Sequence, residues 1–107
     1  MKQQFLVMLR VTRPDMLKQG PTADEGIALE AHVAYLSRLA DQGIALLFGR
    51  TQTNGPETLG LVMIVADNID EAWVLVNNDP VVLSGVMTAE VVPYQIAGGS
   101  LAPQTVH

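Results

Sequence analysis

The sequence predicts one α+β domain of order β-α-β-β-α-β, with a four-stranded antiparallel sheet that carries two helices on one face. Three observations lead to this prediction. The chain has 107 residues, a length that suits a single domain. Four short, mostly apolar runs are typical of strands, and two segments between them have apolar residues at helical spacing. Turn residues or helix caps separate these segments.

The first part of the chain predicts a strand and a helix. A short and almost entirely apolar stretch indicates a strand at about 4–12, and a proline-containing loop follows at 13–21. Thr22 and Glu25 then form a capping-box pattern. The next apolar residues recur at helical spacing, and a glycine follows them, so we expect a helix at 23–42.

The rest of the chain predicts a hairpin, a second helix and a last strand. These elements are strands at 44–52, 59–66 and 86–96, a helix from a cap at Asp67 or Asn68 to Asp79, and one further turn at 81–84. Right-handed crossovers place both helices on the same sheet face, which gives the ferredoxin-like, split βαβ arrangement. We expect residues 1–97 to form this domain and residues 98–107 to form a flexible tail.

Composition excludes several classes of protein. The chain has no cysteine, which excludes a disulfide scaffold, an iron–sulfur site and a cysteine nucleophile. Its net charge is -5, and its six basic residues are scattered, so we expect no nucleic-acid partner. The longest apolar run, 61–66, is far shorter than the roughly 18 residues of a membrane span. Without a signal-peptide pattern, we expect a cytoplasmic protein.

The sheet face away from the helices is also predicted to be apolar. A sheet with one solvated face alternates apolar and polar residues, whereas the runs 5–9 and 61–65 are apolar throughout. Hydrophobic residues make up 49% of the chain, and a domain of this size buries only about 60–70% of its unfolded surface. We therefore expect a homodimer through this face, open to higher oligomers; an apolar ligand or another protein is the alternative.

Few residues in the chain are able to carry chemistry. His107 is the last residue, which leaves His32 as the candidate acid/base. His32 shares a helix face with Ala28 and Leu36, so its alternative role is that of a core histidine bonded to a backbone carbonyl. Asp79 either stops a helix, as Asp-Pro does, or orients an imidazole and stabilises its protonated form.

Two arginines are further candidates. Arg10 shares a strand face with Leu6 and Met8, and it either extends into solvent or holds an anion or enolate. The same two interpretations apply to Arg50. One usable histidine and no cysteine leave too few ligands for a zinc site, and no glycine-rich phosphate loop is present. We therefore expect neither a metal nor a cofactor.

Four segments of the chain, in this order, resemble the YCII-related (YciI-like) family. Residues 30–36 resemble its histidine helix, residues 43–50 its glycine-ending strand, residues 78–86 its Ala-Asp-Pro segment, and residues 92–94 its Val-x-Pro-aromatic ending. The resemblance covers about residues 4–96. Two positions depart from the family pattern: Arg50 replaces a proline and Val81 replaces an aromatic residue, and we expect both to reshape the pocket.

The resemblance implies a dimeric ferredoxin-like α/β-barrel with a His–Asp pair in a cleft, which corresponds to His32 and Asp79 as catalytic residues. The candidate substrate-binding residues are Arg10, Gly49, Arg50 and Ser84. The family includes a dehydrochlorinase of a chlorinated hydroxyhydroquinone, which implies elimination, isomerisation or proton transfer on a small, partly apolar substrate. A non-catalytic dimer that binds a small ligand or assists another enzyme is the alternative, and a cofactor-free oxygenase is a third interpretation.

Overall fold

The computed structural model describes residues 2–100 and contains one antiparallel sheet with its helices on one face. The strands are β1 (Gln3–Val11), β2 (Ala45–Arg50), β3 (Gly60–Ala66) and β4 (Met87–Tyr94), and the helices are α1 (Asp15–Gln19), α2 (Ala23–Asp41), α3 (Ile69–Asn77) and α4 (Pro80–Leu83). The strand order is β2-β3-β1-β4, and β1 pairs antiparallel with both β3 and β4. The predicted α+β, ferredoxin-like fold is confirmed, including the hairpin of β2 and β3.

The core lies between the sheet and the two longer helices. Phe5, Val7 and Leu9 alternate along β1, point toward the helices and are at most 3% exposed. Ile64 and Val62 of β3 lie opposite the first two and are also buried. Full burial of such side chains contributes about 1.5–3 kcal/mol each. The helices complete this core with Leu36, Leu39, Ala72 and Val76.

The predicted capping box fixes the start of α2. The Thr22 hydroxyl accepts from the Glu25 N–H at 3.2 Å, and the Glu25 carboxylate accepts from the Thr22 N–H at 2.8 Å. At the other end, Gly43 has a φ of 74°, a left-handed conformation that only glycine adopts without strain. The glycine therefore turns the chain from α2 into β2.

The segment 13–21, predicted as a loop, contains the short helix α1. Pro14 is its N-cap residue, and Met16 is buried. Five residues are too few for a helix to be stable by itself, so packing of Met16 against the domain stabilises α1. A pattern search along the sequence does not detect such a helix, because no periodicity develops over five residues.

The sheet face opposite the helices is apolar and, within this single chain, open. Leu6 and Met8 of β1 point to it and are half-buried. Its exposed apolar side chains are between 37% and 48% accessible and belong to Leu47, Leu61, Val92 and Tyr94. The apolar character expected of this face is therefore present, while its coverage by a second copy stays a prediction.

The last strand ends earlier than the sequence predicts. The last strand ends at Tyr94 rather than at residue 96, and the Ile96 N–H donates to Gln4 Oε1 at 3.3 Å. Residues 95–100 have no regular secondary structure, and the remainder of the predicted tail, with His107, lies outside the described residues. Between residues 2 and 100, no helix has the length and apolar character needed to cross a bilayer.

Candidate functional site

His32 of α2 and Asp79, which precedes α4, are in direct contact although they are 47 positions apart in the chain. The imidazole Nδ1 lies 2.8 Å from Asp79 Oδ1 and 2.7 Å from Oδ2. The side chain of His32 is 15% exposed, and Asp79 as a residue is 4% exposed. The two sequence-predicted catalytic residues therefore form one largely buried pair.

Asp79 is positioned by the break between two helices. The helix α3 ends at Asn77, since the residue before a proline avoids the helical region. Pro80 then occupies the first position of α4, which proline favours. Asp79 is the N-cap of this helix, and its Oδ1 accepts from the Val81 N–H at 3.1 Å. The carboxylate that starts α4 is thus the same one that contacts His32.

The hydrogen bonds assign the proton on the imidazole. An ionised carboxylate only accepts hydrogen bonds, so Nδ1 of His32 carries the proton that it donates to Asp79. In the neutral ring, Nε2 then has a free lone pair. No group among residues 2–100 forms a hydrogen bond with Nε2. This nitrogen is available to a bound molecule.

A cavity of about 410 Å³ lies beside His32, between α1, α2 and the helix side of the sheet. Its volume lies within the range of about 300–1,000 Å³ that is usual for small-molecule sites. Apolar side chains such as Leu36 and Phe48 form most of its wall, and its polar side chains are His32, Arg50 and Thr58. Asp79 does not line this cavity. A molecule in the cavity therefore meets the imidazole, with the carboxylate behind it.

Two of the predicted substrate-binding residues, Gly49 and Arg50, lie at the end of β2 and line the cavity. The Arg50 side chain is held by the adjoining turn: Nε donates to the Thr51 carbonyl at 3.1 Å and Nη2 to the Thr53 carbonyl at 3.0 Å. The guanidinium therefore has a fixed position at the rim.

The other two predicted substrate-binding residues lie elsewhere. Arg10 is on the open face of the sheet, where Nη1 lies 3.6 Å from Glu90 Oε1. It lines a smaller depression of about 210 Å³. Ser84 is the exposed C-cap of α4. The structure thus brings His32, Gly49 and Arg50 to one cavity, whereas Arg10 lines a neighbouring depression and Ser84 lines neither space.

Thr58 is a cavity residue that the sequence analysis did not single out. It is buried, and its hydroxyl lies 2.6 Å from that of Thr53, which in turn lies 2.9 Å from that of Thr51. The three hydroxyls connect the turn to the cavity wall. A signal existed in the sequence, because three threonines flank the predicted hairpin turn, but threonines of a turn usually bond their own backbone.

An ion pair fixes the segment that carries α1. Arg13 Nε donates to Glu25 Oε2 at 2.9 Å, and its Nη2 donates to Oε1 at 2.7 Å and to the Gly20 carbonyl at 3.3 Å. The Arg13 guanidinium, followed by the Thr22 N–H, lowers the pKa of Glu25 to about 2. Met16 and Leu17 of α1 form part of the cavity wall, so this pair ties the segment that carries that wall to the start of α2.

Tyr35 connects the helix that carries His32 to α3. Its hydroxyl donates to the Leu75 carbonyl at 2.7 Å. Burial, together with the nearby Asp79 carboxylate, raises the pKa of this phenol above its usual value, and Arg38 partly opposes the rise. Tyr35 therefore stays protonated and acts as a structural hydrogen-bond donor. No group of three or more metal-ligating side chains occurs within residues 2–100.

Comparisons with known proteins identify a family and two solved structures that resemble this chain. The family model described as the YCII-related domain matches residues 5–95. A solved structure of 5-chloro-2-hydroxyhydroquinone dehydrochlorinase from Burkholderia phenoliruptrix, in complex with 2,5-dihydroxybenzoquinone, is 23% identical; the match covers 85% of this chain and 93% of that chain, with a TM-score of 0.62. A de novo designed protein with a ferredoxin fold is 14% identical over 100% of this chain and 98% of that one, at a TM-score of 0.39. No curated protein matches the chain.

Proposed function

The chain belongs to the YCII-related domain family, and on this basis we propose that it is a small enzyme that uses acid/base chemistry and no cofactor. His32 is the general acid/base, and Asp79 orients its ring. The substrate is small and partly apolar, and the reaction is an elimination, an isomerisation or a proton transfer. The observation that carries the proposal is the contact of His32 Nδ1 with the Asp79 carboxylate, at 2.7 and 2.8 Å, at the wall of an apolar cavity.

The chemistry follows from the free lone pair of Nε2. His32 takes a proton from the substrate at this nitrogen, and the ring becomes positively charged. The adjacent Asp79 carboxylate stabilises that charge, as the carboxylate does in other oriented histidine sites. General acid–base catalysis of this kind contributes about 10²–10⁴-fold to the rate. An elimination needs only such a base and a leaving group on the neighbouring carbon. The dehydrochlorinase activity named for the structural neighbour is of this class.

The proposal includes a homodimer formed through the open sheet face. Leu47, Leu61, Val92 and Tyr94 leave apolar area exposed there, and such area is usually covered in a folded protein. The cavity beside His32 lies on the helix side of the sheet. The apolar side chains of the open face on β3 and β4 lie opposite residues 4–8 of β1, before Arg10, so a dimer centred on them leaves both the cavity and Arg10 uncovered. We expect the dimer to act in the cytoplasm.

The test is turnover of chlorinated and hydroxylated hydroquinones, followed as chloride release and by ultraviolet absorbance. We expect His32→Gln to lower turnover by about 10²–10⁴-fold and Asp79→Asn to lower it by a smaller factor, because the base is retained. Asparagine still caps a helix, so the second variant keeps its fold. Asp70→Asn, an exposed acid in the first turn of α3, is the matched control and should keep full activity. If His32→Gln and Asp79→Asn both retain full turnover, the mechanism is wrong.

A second candidate function is non-catalytic binding of a small ligand. The low polarity of the cavity favours it, since only three lining side chains are polar. In that case a ligand raises the melting temperature by mass action without being converted. Ligand-induced stabilisation together with no product after long incubation at high protein concentration would select this function over the enzyme.

A further inference from the structure

We propose that the molecule that occupies the cavity beside His32 is an apolar acid, whose anionic group lies between Arg10 and Lys18. This inference rests on the proposed function, because it names the substrate class of the same site. It commits to a ligand with two parts. One is an apolar body that fills the cavity of about 410 Å³, and the other is a carboxylate or phenolate that enters the depression of about 210 Å³.

The two spaces adjoin each other. The depression is lined by the end of β1, by α1 and by the turn before β3, and it shares Val11, Leu17 and Thr58 with the cavity. These three residues form the boundary between the spaces. In the proposed complex, the ligand extends across this boundary from the imidazole of His32 to the basic residues of the depression.

The distribution of charge at these spaces is opposite to that of the whole chain. The protein has 11 acidic and 6 basic residues, but no Asp or Glu among residues 2–100 lines either space. Arg50 lines the cavity, and Arg10 and Lys18 line the depression. Half of the basic residues therefore surround this one region. In a protein of net charge -5, such a region attracts anions that the remaining surface repels.

Neither basic residue of the depression is held in a buried ion pair. Lys18, in the last turn of α1, has no ion pair with any residue in the described range. Arg10 is 3.6 Å from Glu90, and both side chains are about half exposed; solvent and salt screen exposed pairs of this kind, which therefore contribute little. Arg13, by contrast, is fully engaged by Glu25.

Acidic groups near the depression do not occupy it. Glu57 belongs to the adjoining turn, and its Oε1 accepts from the Gly55 N–H at 3.2 Å. Glu90 lies on β4 opposite Met8, diagonal to Arg10. Neither lines the depression. An anion held there fixes one end of the ligand, so that the apolar end presents a defined atom to Nε2 of His32.

The test compares two probes of equal shape, para-propylbenzoate and the neutral para-propylbenzamide, by isothermal titration calorimetry with the full chain. We expect the acid to bind the wild-type protein at least about 10-fold more tightly than the amide, since hydrogen bonds to charged groups contribute about 1.5–3 kcal/mol. The preference should weaken as salt shortens the Debye length from about 30 Å at 0.01 M to about 8 Å at 0.15 M.

Lys18→Gln should remove most of the preference for the acid, and Arg10→Gln should reduce it further. Lys2→Gln is the matched control, because it changes the net charge equally on an exposed lysine that pairs with Asp67; it should leave the preference unchanged. The inference is overturned if the two probes bind equally, if neither binds, or if Lys18→Gln and Lys2→Gln have the same effect.

Failure of this inference is separable from failure of the proposed function. The ring-proton NMR signals of His32 report occupancy of the cavity for either probe. If the amide shifts these signals as strongly as the acid at equal affinity, the acid class is wrong while the site is retained. Loss of turnover in His32→Gln tests the mechanism without reference to Lys18.

Discussion

The two crossover connections of the sheet pack against it in different ways. The first crossover, residues 12–44, joins β1 to β2 through α1 and α2, and it leaves a cavity of about 410 Å³ over the sheet. The second crossover, residues 67–86, joins β3 to β4 through α3 and α4, and it buries Ala72 and Val81 completely. The two crossovers have the same topology, but the first leaves a cavity over the sheet and the second is closely packed against it.

The His–Asp pair takes one residue from each crossover. His32 comes from the first crossover and lines the cavity, whereas Asp79 comes from the second and is fixed as the cap of α4. A group that orients another needs a rigid position, and a group that meets a ligand needs adjacent space. The closely packed second crossover gives Asp79 a rigid position, and the open first crossover gives His32 adjacent space.

The largest expected effect on stability comes from removing the Asp79 carboxylate, which connects the second crossover to His32 of the first. Asp79→Ala takes away the α4 cap, worth about 0.5–2 kcal/mol, and leaves the largely buried His32 Nδ1 without its acceptor, at a cost of about 1–3 kcal/mol. We expect a loss of about 2–4 kcal/mol in urea unfolding. Asp79→Asn should lose about half as much, because the amide still caps α4. Equal losses in the two variants would show that capping contributes nothing.

A smaller effect distinguishes the packing of the two crossovers directly. Val81→Ala removes apolar volume from a fully buried position of the second crossover and should lower the free energy of unfolding by about 2 kcal/mol. Val33→Ala makes the same change on the cavity wall of the first crossover, where the residue is 53% exposed, and should cost less than about 0.5 kcal/mol. Similar losses at both positions would contradict the comparison.

The smallest expected effect is a loss of stability at low pH that arises from Glu25 in the first crossover. The pKa of Glu25 is about 2 in the folded chain, compared with an ordinary value of 4.5. A carboxyl whose pKa falls on folding adds stability that is complete above the ordinary value and is lost as the pH falls toward the folded value. Glu25→Gln should therefore lower the melting temperature at pH 7, and the difference from wild type should shrink between pH 4.5 and 2.

The control for this measurement is Glu30→Gln, an exposed acid on the same helix. It should leave the acid dependence of the wild-type chain in place. A melting temperature of Glu25→Gln that falls between pH 4.5 and 2 as steeply as that of the wild-type chain would mean that the Arg13–Glu25 pair does not stabilise the fold.

Most of the fold could be predicted from the sequence because its signals are local. The continuous apolar run of β1, the capping box at Thr22 and Glu25, and the Asp79-Pro80 helix break each follow from a few neighbouring residues. The helix α1 could not be predicted, because Met16 is held by packing against distant parts of the chain. The exposure of Leu47 on the outer strand β2 likewise depends on strand order rather than on local pattern.

The candidate site could be predicted only in part, because only some of its residues carry a local signal. His32 and Asp79 each carry a local signal, and the family resemblance connected them. Arg10 was correctly placed on the strand face of Leu6 and Met8, but the location of the cavity on the other face is a property of the assembled helices. Thr58 was missed because its burial arises only when the turn folds against β1 and α1.

The Asp79 carboxylate both caps α4 and contacts His32, and this has a consequence for how the site can be lost during evolution. Selection for a folded chain requires only a helix cap at this position, which asparagine or serine also provides. Selection for the chemistry asks for a negative charge next to the imidazole. Under the proposed function, a related chain with a neutral cap here would keep the architecture and lose the acid/base pair, so the residue type at this position predicts which relatives have the proposed activity.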